Sequence, residues 1–167
     1  MKSVRKLFFL LLCIVSLLVG FLIITNQKAK KGTIAERKIA NIKGVKIYVE
    51  IADTADKKAK GLSGRKSLDK GSGMLFIFPK DTEPAFWMKD MFFPIDIIWI
   101  NDDKITQIDK NVPNPISGAI DSQLPLYRPN LPIDYVLEVN AGFSDKNSFD
   151  IGDSIDLSNL NDANKFE

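Results

Sequence analysis

The chain reads FWMKDMFFPIDIIWI over residues 86–100, and this stretch holds both of its tryptophans and two of its four methionines. Residues 95–100 are apolar at every position but one, and the run is short enough to be a buried β-strand. The exception is Asp96. An ionised carboxylate inside an apolar strand is costly unless it is paired or hydrogen-bonded. The stretch therefore predicts a β-sheet core with one buried charge that requires partners.

The segments on either side of this stretch also have the patterns of β-strands. Residues 45–51 alternate apolar and polar side chains, which indicates a half-buried strand, and residues 39–42 are expected to form its hairpin partner. An apolar run at residues 74–78 predicts a buried strand that ends at Pro79. Further strands are expected at residues 85–88, 105–108, 135–139 and 151–157.

Helical signals are few. Asp53 or Thr54 is expected to cap a short helix at residues 55–60, and Gly61 is expected to end it. One further helical turn is expected within residues 143–149.

Together these elements predict a small single domain of the α+β class, mainly β. About eight short strands would form a partly closed, barrel-like sheet with one or two short helices. The domain is expected to span residues 39–158 and to end in a frayed tail at residues 159–167. Its longest irregular segment, residues 111–132, contains five prolines, and long loops in compact domains are often functional.

The N-terminus has the composition of a membrane element. Lys2, Arg5 and Lys6 precede an uncharged apolar run at residues 7–24, which as a helix would span roughly 27 Å, close to the thickness of a bilayer core. Residues 1–25 are therefore predicted to be an uncleaved signal anchor that forms a transmembrane helix. A cleaved signal peptide is the alternative.

Residues 26–38 are polar and rich in lysine, and they are expected to tether the domain to the membrane. Basic residues on this side of the span count against a cytoplasmic N-terminus under the positive-inside rule. A basic start before an apolar run is nevertheless typical of an export signal. We follow the second argument, and we expect a single-pass protein of the cell membrane with its domain on the extracytoplasmic side.

The composition excludes several classes of site. The net charge is +2, from 23 basic and 21 acidic residues, and so weak a bias argues against a nucleic-acid partner. The chain has no histidine, and its one cysteine, Cys13, lies in the apolar N-terminal run. Disulfides, histidine triads, cysteine nucleophiles and cysteine or histidine metal sites are therefore excluded from the domain. No metal and no cofactor is predicted.

Seven residues are candidates for a ligand-binding site because they are polar or aromatic and lie within or beside apolar strands and glycine-rich turns. They are Glu50, Arg65, Trp87, Met88, Lys89, Asp96 and Glu138. In one interpretation they line a cleft, where two carboxylates and a cation would also allow general acid–base chemistry. In the other, the two carboxylates within strands pair with Arg65 or Lys89 as a structural network, or simply face water.

Six motifs, in their order along the chain, resemble one known family. They are Glu50-Ile51-Ala52, Gly61-Leu62 with Arg65, Gly73-Met74-Leu75-Phe76, Phe86-Trp87-Met88-Lys89, Pro94-Ile95-Asp96-Ile97 and Tyr135-Val136-Leu137-Glu138-Val139-Asn140-Ala141-Gly142. The family is the domain of unknown function 192 family, and the resemblance extends from about residue 40 to residue 157. It implies a small β-rich domain, often behind a signal or anchor, in bacteria and archaea, and it implies no established activity. The seven candidates match characteristic polar and aromatic positions of the family.

Two departures from the family pattern lie near these positions. Ser63 stands where the pattern usually has methionine, and Asp90-Met91 replaces the more usual asparagine-threonine after Lys89. If this corner contacts a ligand, its preference differs from that of relatives.

Three functions remain as hypotheses. The first is a membrane-anchored binding or accessory module of the cell envelope, whose partner is a small molecule, a glycan or an envelope protein. The second is a hydrolase that uses paired carboxylates, Asp96 with Glu138 or Glu50, in glycoside-hydrolase-like chemistry. The third is a purely structural or interaction protein, in which the charged residues only support the fold.

Overall fold

The computed structural model describes residues 38–160. The predicted signal anchor, nearly all of the predicted tether and the last seven residues of the tail lie outside this range. Among residues 38–160, no helix is both long and apolar enough to cross a membrane.

Seven strands within residues 38–160 form one sheet, in the order β5-β4-β6-β3-β2-β1-β7. Their bounds are β1 Lys38–Ile42, β2 Val45–Ala52, β3 Ser72–Thr82, β4 Ile95–Asn101, β5 Lys104–Val112, β6 Ile133–Asn140 and β7 Ile155–Asp156. Two short helices, α1 Ala55–Lys60 and α2 Phe143–Lys146, and a 3-10 turn at Asp121–Gln123 complete the described elements. The prediction of a small, mainly β domain is confirmed, with seven strands in place of about eight.

All neighbouring strands are antiparallel except β2 and β3. A parallel pair requires a crossover connection, and here α1 and residues 61–71 provide it. The crossover lies over the side of the sheet that carries Met74 and Ile97, because Leu62 and Leu68 of the connection pack in the same cluster as these residues. We call this side the site face.

The sheet curls until its two outer strands approach each other. The backbone N–H of Ile105 in β5 donates to the carbonyl of Asp153 at 3.0 Å, and the N–H of Ile155 in β7 donates to the carbonyl of Asp103 at 2.8 Å. Only a few bonds join these edges, so the result is a half-barrel, which confirms the partly closed sheet that the sequence predicts.

Strand alternation divides the core into two clusters. The site face carries Met74, Ile97 and Trp99, whereas the opposite face carries Leu75 and Ile98. Because β4 is buried on both faces, all its residues from 95 to 100 are buried. This explains why the sequence there is a continuous apolar run rather than an alternating one.

The start and end of α1 agree with the local signals. Thr54 is the N-cap, and its hydroxyl accepts a hydrogen bond from the backbone N–H of Lys57 at 3.3 Å. Gly61 follows the helix with φ of 46°, in the region that glycine adopts most readily, and its N–H bonds to the Lys57 carbonyl at 2.8 Å.

Two strand predictions are wrong, and the strand predicted at residues 151–157 is reduced to the two residues of β7. Residues 85–88 are not a strand: Phe86 makes one isolated bridge, to Tyr127, within a loop that crosses the site face. Pro79 does not end β3, which continues to Thr82, because the proline lies where the ladder to β6 is interrupted between Ile77 and Thr82. Its missing N–H therefore costs no ladder bond.

Candidate ligand-binding site

Glu138 is the central residue of the candidate site. It lies in β6 on the site face, next to Ile97 of β4 and Met74 of β3 in the strand register. The residue is only 6% exposed, and its Oε2 atom has no hydrogen-bond partner among residues 38–160. Buried polar atoms are nearly always bonded, so an unpartnered one requires an explanation.

Burial raises the pKa of the Glu138 carboxyl to about 8, because the apolar surroundings disfavour its charged form. The positive charge of Arg65 acts in the opposite direction and lowers this pKa, but it is the smaller effect. At neutral pH the carboxyl is therefore mainly protonated. In this form it can donate one hydrogen bond and accept others.

A cavity of about 270 Å³ opens beside Glu138. Its walls include the apolar and aromatic side chains of Leu62, Phe76, Phe78, Phe86, Trp87 and Met91. Lys58 and Lys60 also line it, and Glu138 is its acidic residue. We call this cavity the Glu138 pocket. Apolar walls with a few polar groups are typical of small-molecule sites.

Two loops build the wall of the pocket and are bonded to each other. The Ser63 hydroxyl donates to the carbonyl of Lys89 at 2.8 Å, and the N–H of Gly64 donates to the carbonyl of Asp90 at 2.8 Å. These bonds hold residues 61–64, which follow α1, against residues 86–91. Both family departures, Ser63 and Asp90, thus lie at the junction of these two loops.

Phe86 anchors the second loop in the core. Its ring stands edge-on to Phe76, with centroids 4.9 Å apart, and to Trp99, with centroids 5.5 Å apart. Such geometry is favourable for aromatic pairs. The Trp99 indole N–H also donates to Asp109 at 2.7 Å. These core rings therefore fix the position of Phe86. The adjacent Trp87 is thereby held at the pocket, where it remains 45% exposed.

The lysines of α1 differ in their surroundings. Lys57 pairs with Asp53 at 2.8 Å. Lys58 is half-buried, and its Nζ lies 4.6 Å from the centre of the Phe78 ring. Within residues 38–160, neither Lys58 nor Lys60 has a carboxylate partner. Their charges are therefore free to interact with a ligand.

Glu50 and Arg65 lie near the pocket but pair with each other. Two hydrogen bonds, of 2.5 and 2.7 Å, join the guanidinium of Arg65 to the two carboxylate oxygens of Glu50. These bonds hold the pKa of Glu50 below its usual value. Glu50 is next to Met74 in the register, and Met74 is next to Glu138, so the two glutamates lie on the same face, two strands apart.

Asp96 lies away from the pocket. Its neighbour in the register is Val139, and both point to the opposite face of the sheet. One of its oxygens accepts the backbone N–H groups of Asn111 at 2.8 Å and Gly142 at 3.1 Å, and the other accepts that of Ser144 at 2.9 Å. Backbone donors, rather than Arg65 or Lys89, are thus its partners.

Met88 and Lys89 do not line the Glu138 pocket either. Met88 is 3% exposed and belongs to the core of the site face. The Nζ of Lys89 pairs with Asp121, which raises the pKa of the lysine, and lies 5.4 Å from the centre of the Trp87 ring. This pair joins residues 86–91 to the proline-rich segment.

Of the seven candidates, then, Trp87 and Glu138 line the pocket, Glu50 and Arg65 lie beside it, and the others serve other contacts. Whether any of them binds a ligand stays a prediction. Lys58 was not among the candidates predicted from the sequence. No local signal distinguishes it from the other lysines of α1, because only packing against Phe78 determines which of them turns inward.

Residues 38–157 match the family model described as "Uncharacterized ACR", which is domain of unknown function 192, or DUF192. The chain belongs to the DUF192 family. Both the predicted resemblance and its extent are thereby confirmed.

Two crystal structures share the fold of this DUF192 domain. A protein of unknown function from Novosphingobium aromaticivorans is 25% identical, with a TM-score of 0.61 over 74% of this chain and 88% of that one. A putative transcription regulator from Sinorhizobium meliloti is 24% identical, with a TM-score of 0.66 over 77% of this chain and all of the other. No curated protein matches the chain.

Proposed function

We propose that this DUF192 protein is a membrane-anchored binding module of the cell envelope that takes a small molecule into the Glu138 pocket. One observation carries the proposal: the Oε2 atom of Glu138 is buried beside a cavity and has no partner among residues 38–160. Leaving such an atom unbonded costs about 1–3 kcal/mol. A ligand that bonds to it would recover this energy.

The size and the walls of the pocket support a small ligand. A volume of about 270 Å³ corresponds to roughly nine water molecules at ~30 Å³ each. The apolar side chains favour release of that water, and Trp87 offers an aromatic surface that is already partly exposed. The carboxyl of Glu138 would orient the ligand.

The membrane and envelope parts of the proposal rest on the sequence. An uncharged run at residues 7–24 after a basic start is the composition of a signal anchor. The domain itself carries no cysteine, so its fold does not require disulfide formation and is compatible with either redox compartment.

The hydrolase hypothesis is less well supported. Asp96 and Glu138 cannot flank one bond, because their side chains lie on opposite faces of the sheet. Glu50 shares a face with Glu138, but it is bound to Arg65 and does not line the pocket. Paired-carboxylate hydrolysis requires both groups at the same sugar ring.

We expect a screen of sugars, peptides, lipid headgroups, metal ions and small aromatic compounds to yield a ligand that raises the melting temperature of the full chain in nanodiscs. Saturation at 100 times Kd would stabilise the fold by about 2.7 kcal/mol. Trp87→Ala and Glu138→Leu should each weaken binding about tenfold or more, equal to about 1.4 kcal/mol.

The matched control is Phe92→Ala, which removes an aromatic side chain that is 64% exposed and outside the pocket. It should leave affinity unchanged. The proposal would be contradicted if Trp87→Ala and Phe92→Ala lowered the binding affinity equally. It would also be contradicted if no compound in the screen stabilised the chain.

The extracytoplasmic location is expected to show in cysteine labelling. Cys13→Ala removes the native thiol, and Ile116→Cys places a new one at a residue that is 83% exposed. A membrane-impermeant maleimide should then label intact cells as fully as lysed ones. Labelling that requires lysis would place the domain in the cytoplasm.

A further inference from the structure

We propose that the ligand of the Glu138 pocket is a small hydroxy carboxylic acid, with its anionic group at Lys58 and Lys60, an apolar body between the aromatic walls and a hydroxyl group at Glu138. This inference rests on the function proposed above and specifies its ligand. Three features of the pocket lead to it, one for each part of the molecule.

The first feature is the charge along the pocket. Of the charged residues that line the pocket, Lys60 is exposed to solvent, whereas Glu138 is buried. Lys58 and Lys60 have no carboxylate partner among the described residues, whereas the charge of the nearby Arg65 is offset by Glu50. An anion is attracted to such a site, and an ammonium group is repelled from it.

The second feature is the apolar middle of the pocket. Phe76, Phe78, Phe86 and Trp87 present ring surfaces, and Leu62 and Met91 fill the space between them. A ligand of about ten non-hydrogen atoms with a flat or compact apolar body matches the cavity of about 270 Å³. An ion without such a body would leave these walls in contact with water.

The third feature is the unpartnered Oε2 of Glu138. A hydroxyl group both donates and accepts hydrogen bonds, so it can satisfy this carboxyl in either protonation state. A carboxylate at this end would lie in the same surroundings that disfavour the charged form of Glu138, and its own burial would be costly. A methyl or hydrogen at this end would leave Oε2 unbonded.

Four related compounds test these features by calorimetry on the full chain in nanodiscs at pH 7. They are 4-hydroxyphenylacetate, its amide 4-hydroxyphenylacetamide, the amine tyramine, and phenylacetate, which lacks the ring hydroxyl. We expect 4-hydroxyphenylacetate to bind at least tenfold more tightly than each of the other three. In Lys58→Met, 4-hydroxyphenylacetate should bind no more tightly than its amide. In Glu138→Leu, it should bind no more tightly than phenylacetate.

Lys57→Met is the matched control, because Lys57 belongs to the same helix but pairs with Asp53. It should preserve all four relative affinities. Melting temperatures of the variants verify that each one is folded, and Glu138→Met, which also lacks a hydrogen-bonding group, replaces Glu138→Leu if the leucine variant is not.

Tighter binding of tyramine than of 4-hydroxyphenylacetate would overturn the inference and would instead make Glu138 a receptor for cations, with the proposed binding function intact. Absence of binding by all four compounds, while the wider screen yields another ligand, would also overturn only the inference. Absence of binding in both experiments would overturn the proposed function as well.

Discussion

Asp96→Ala is expected to lower the free energy of unfolding by about 3–5 kcal/mol, which is a large part of the stability of a small domain. The wild-type carboxylate accepts three backbone N–H groups, from Asn111, Gly142 and Ser144. Alanine would leave these donors without partners in a region where Asp96 itself is 0% exposed. The loss reflects the cost of unbonded buried donors more than the removal of a favourable contact.

Urea unfolding of residues 36–167 measures this effect. Asp156→Ala is the matched control, since Asp156 also accepts a backbone N–H, from Ser158, but is exposed on the edge strand β7. Asp156→Ala should lower the free energy of unfolding by no more than about 1 kcal/mol. The loss of unfolding free energy for Asp96→Asn should lie between the losses for Asp96→Ala and Asp156→Ala. The amide oxygen of asparagine can still accept two N–H groups, but its NH₂ faces the third donor. If Asp96→Ala costs no more than the control, the backbone bonds do not stabilise this region.

Glu138→Gln is expected to change how stability depends on pH. In the folded chain the pKa of Glu138 is about 8, above the ordinary value of 4.5. Below pH 4.5 both the folded and unfolded chains carry the proton, so ionisation has no effect there. Between pH 4.5 and 8 the unfolded chain releases the proton and the folded chain retains it. Wild-type stability therefore declines as pH rises through this window, by at most roughly 4–5 kcal/mol.

Glutamine cannot ionise, so it removes this decline while retaining the size of the side chain. The stability of Glu138→Gln relative to wild type should accordingly grow from pH 5 to pH 8, as measured by urea unfolding at intervals of pH. Glu50→Gln is the control, because its pairing with Arg65 lowers the pKa of Glu50, and its effect should be constant above pH 5. A constant difference between Glu138→Gln and wild type would show that Glu138 is already ionised in the fold.

Where local patterns decide structure, the sequence was a good guide. The alternation of residues 45–51 predicted β2, and the Thr54 cap and Gly61 predicted both ends of α1. Residues 85–88 were misassigned because an apolar segment with two aromatics has the composition of a strand. The segment is instead a loop whose apolar side chains cover the site face. Composition does not distinguish an apolar strand within a sheet from an apolar loop packed over one.

The candidate site shows the same division between local pattern and tertiary contact. That Asp96 needs partners follows from its place in an apolar run, but the sequence suggested Arg65 or Lys89. The partners are backbone N–H groups of residues 15 to 48 positions away, which no side-chain pattern reveals. Glu138 was recognised for the same reason as Asp96, but it points to the other face of the sheet, where its Oε2 has no partner among residues 38–160.

The stretch at residues 86–100 determined by itself that the domain has a β core and that a carboxylate lies within it, because apolar periodicity and the cost of a buried charge act locally. Only the tertiary structure decided that Asp96 is satisfied by the backbone while Glu138 faces a cavity. Burial and partnership depend on which segments meet across the sheet. The parallel pairing of β2 with β3 brings α1, its Lys58 and the loop of Trp87 over one face.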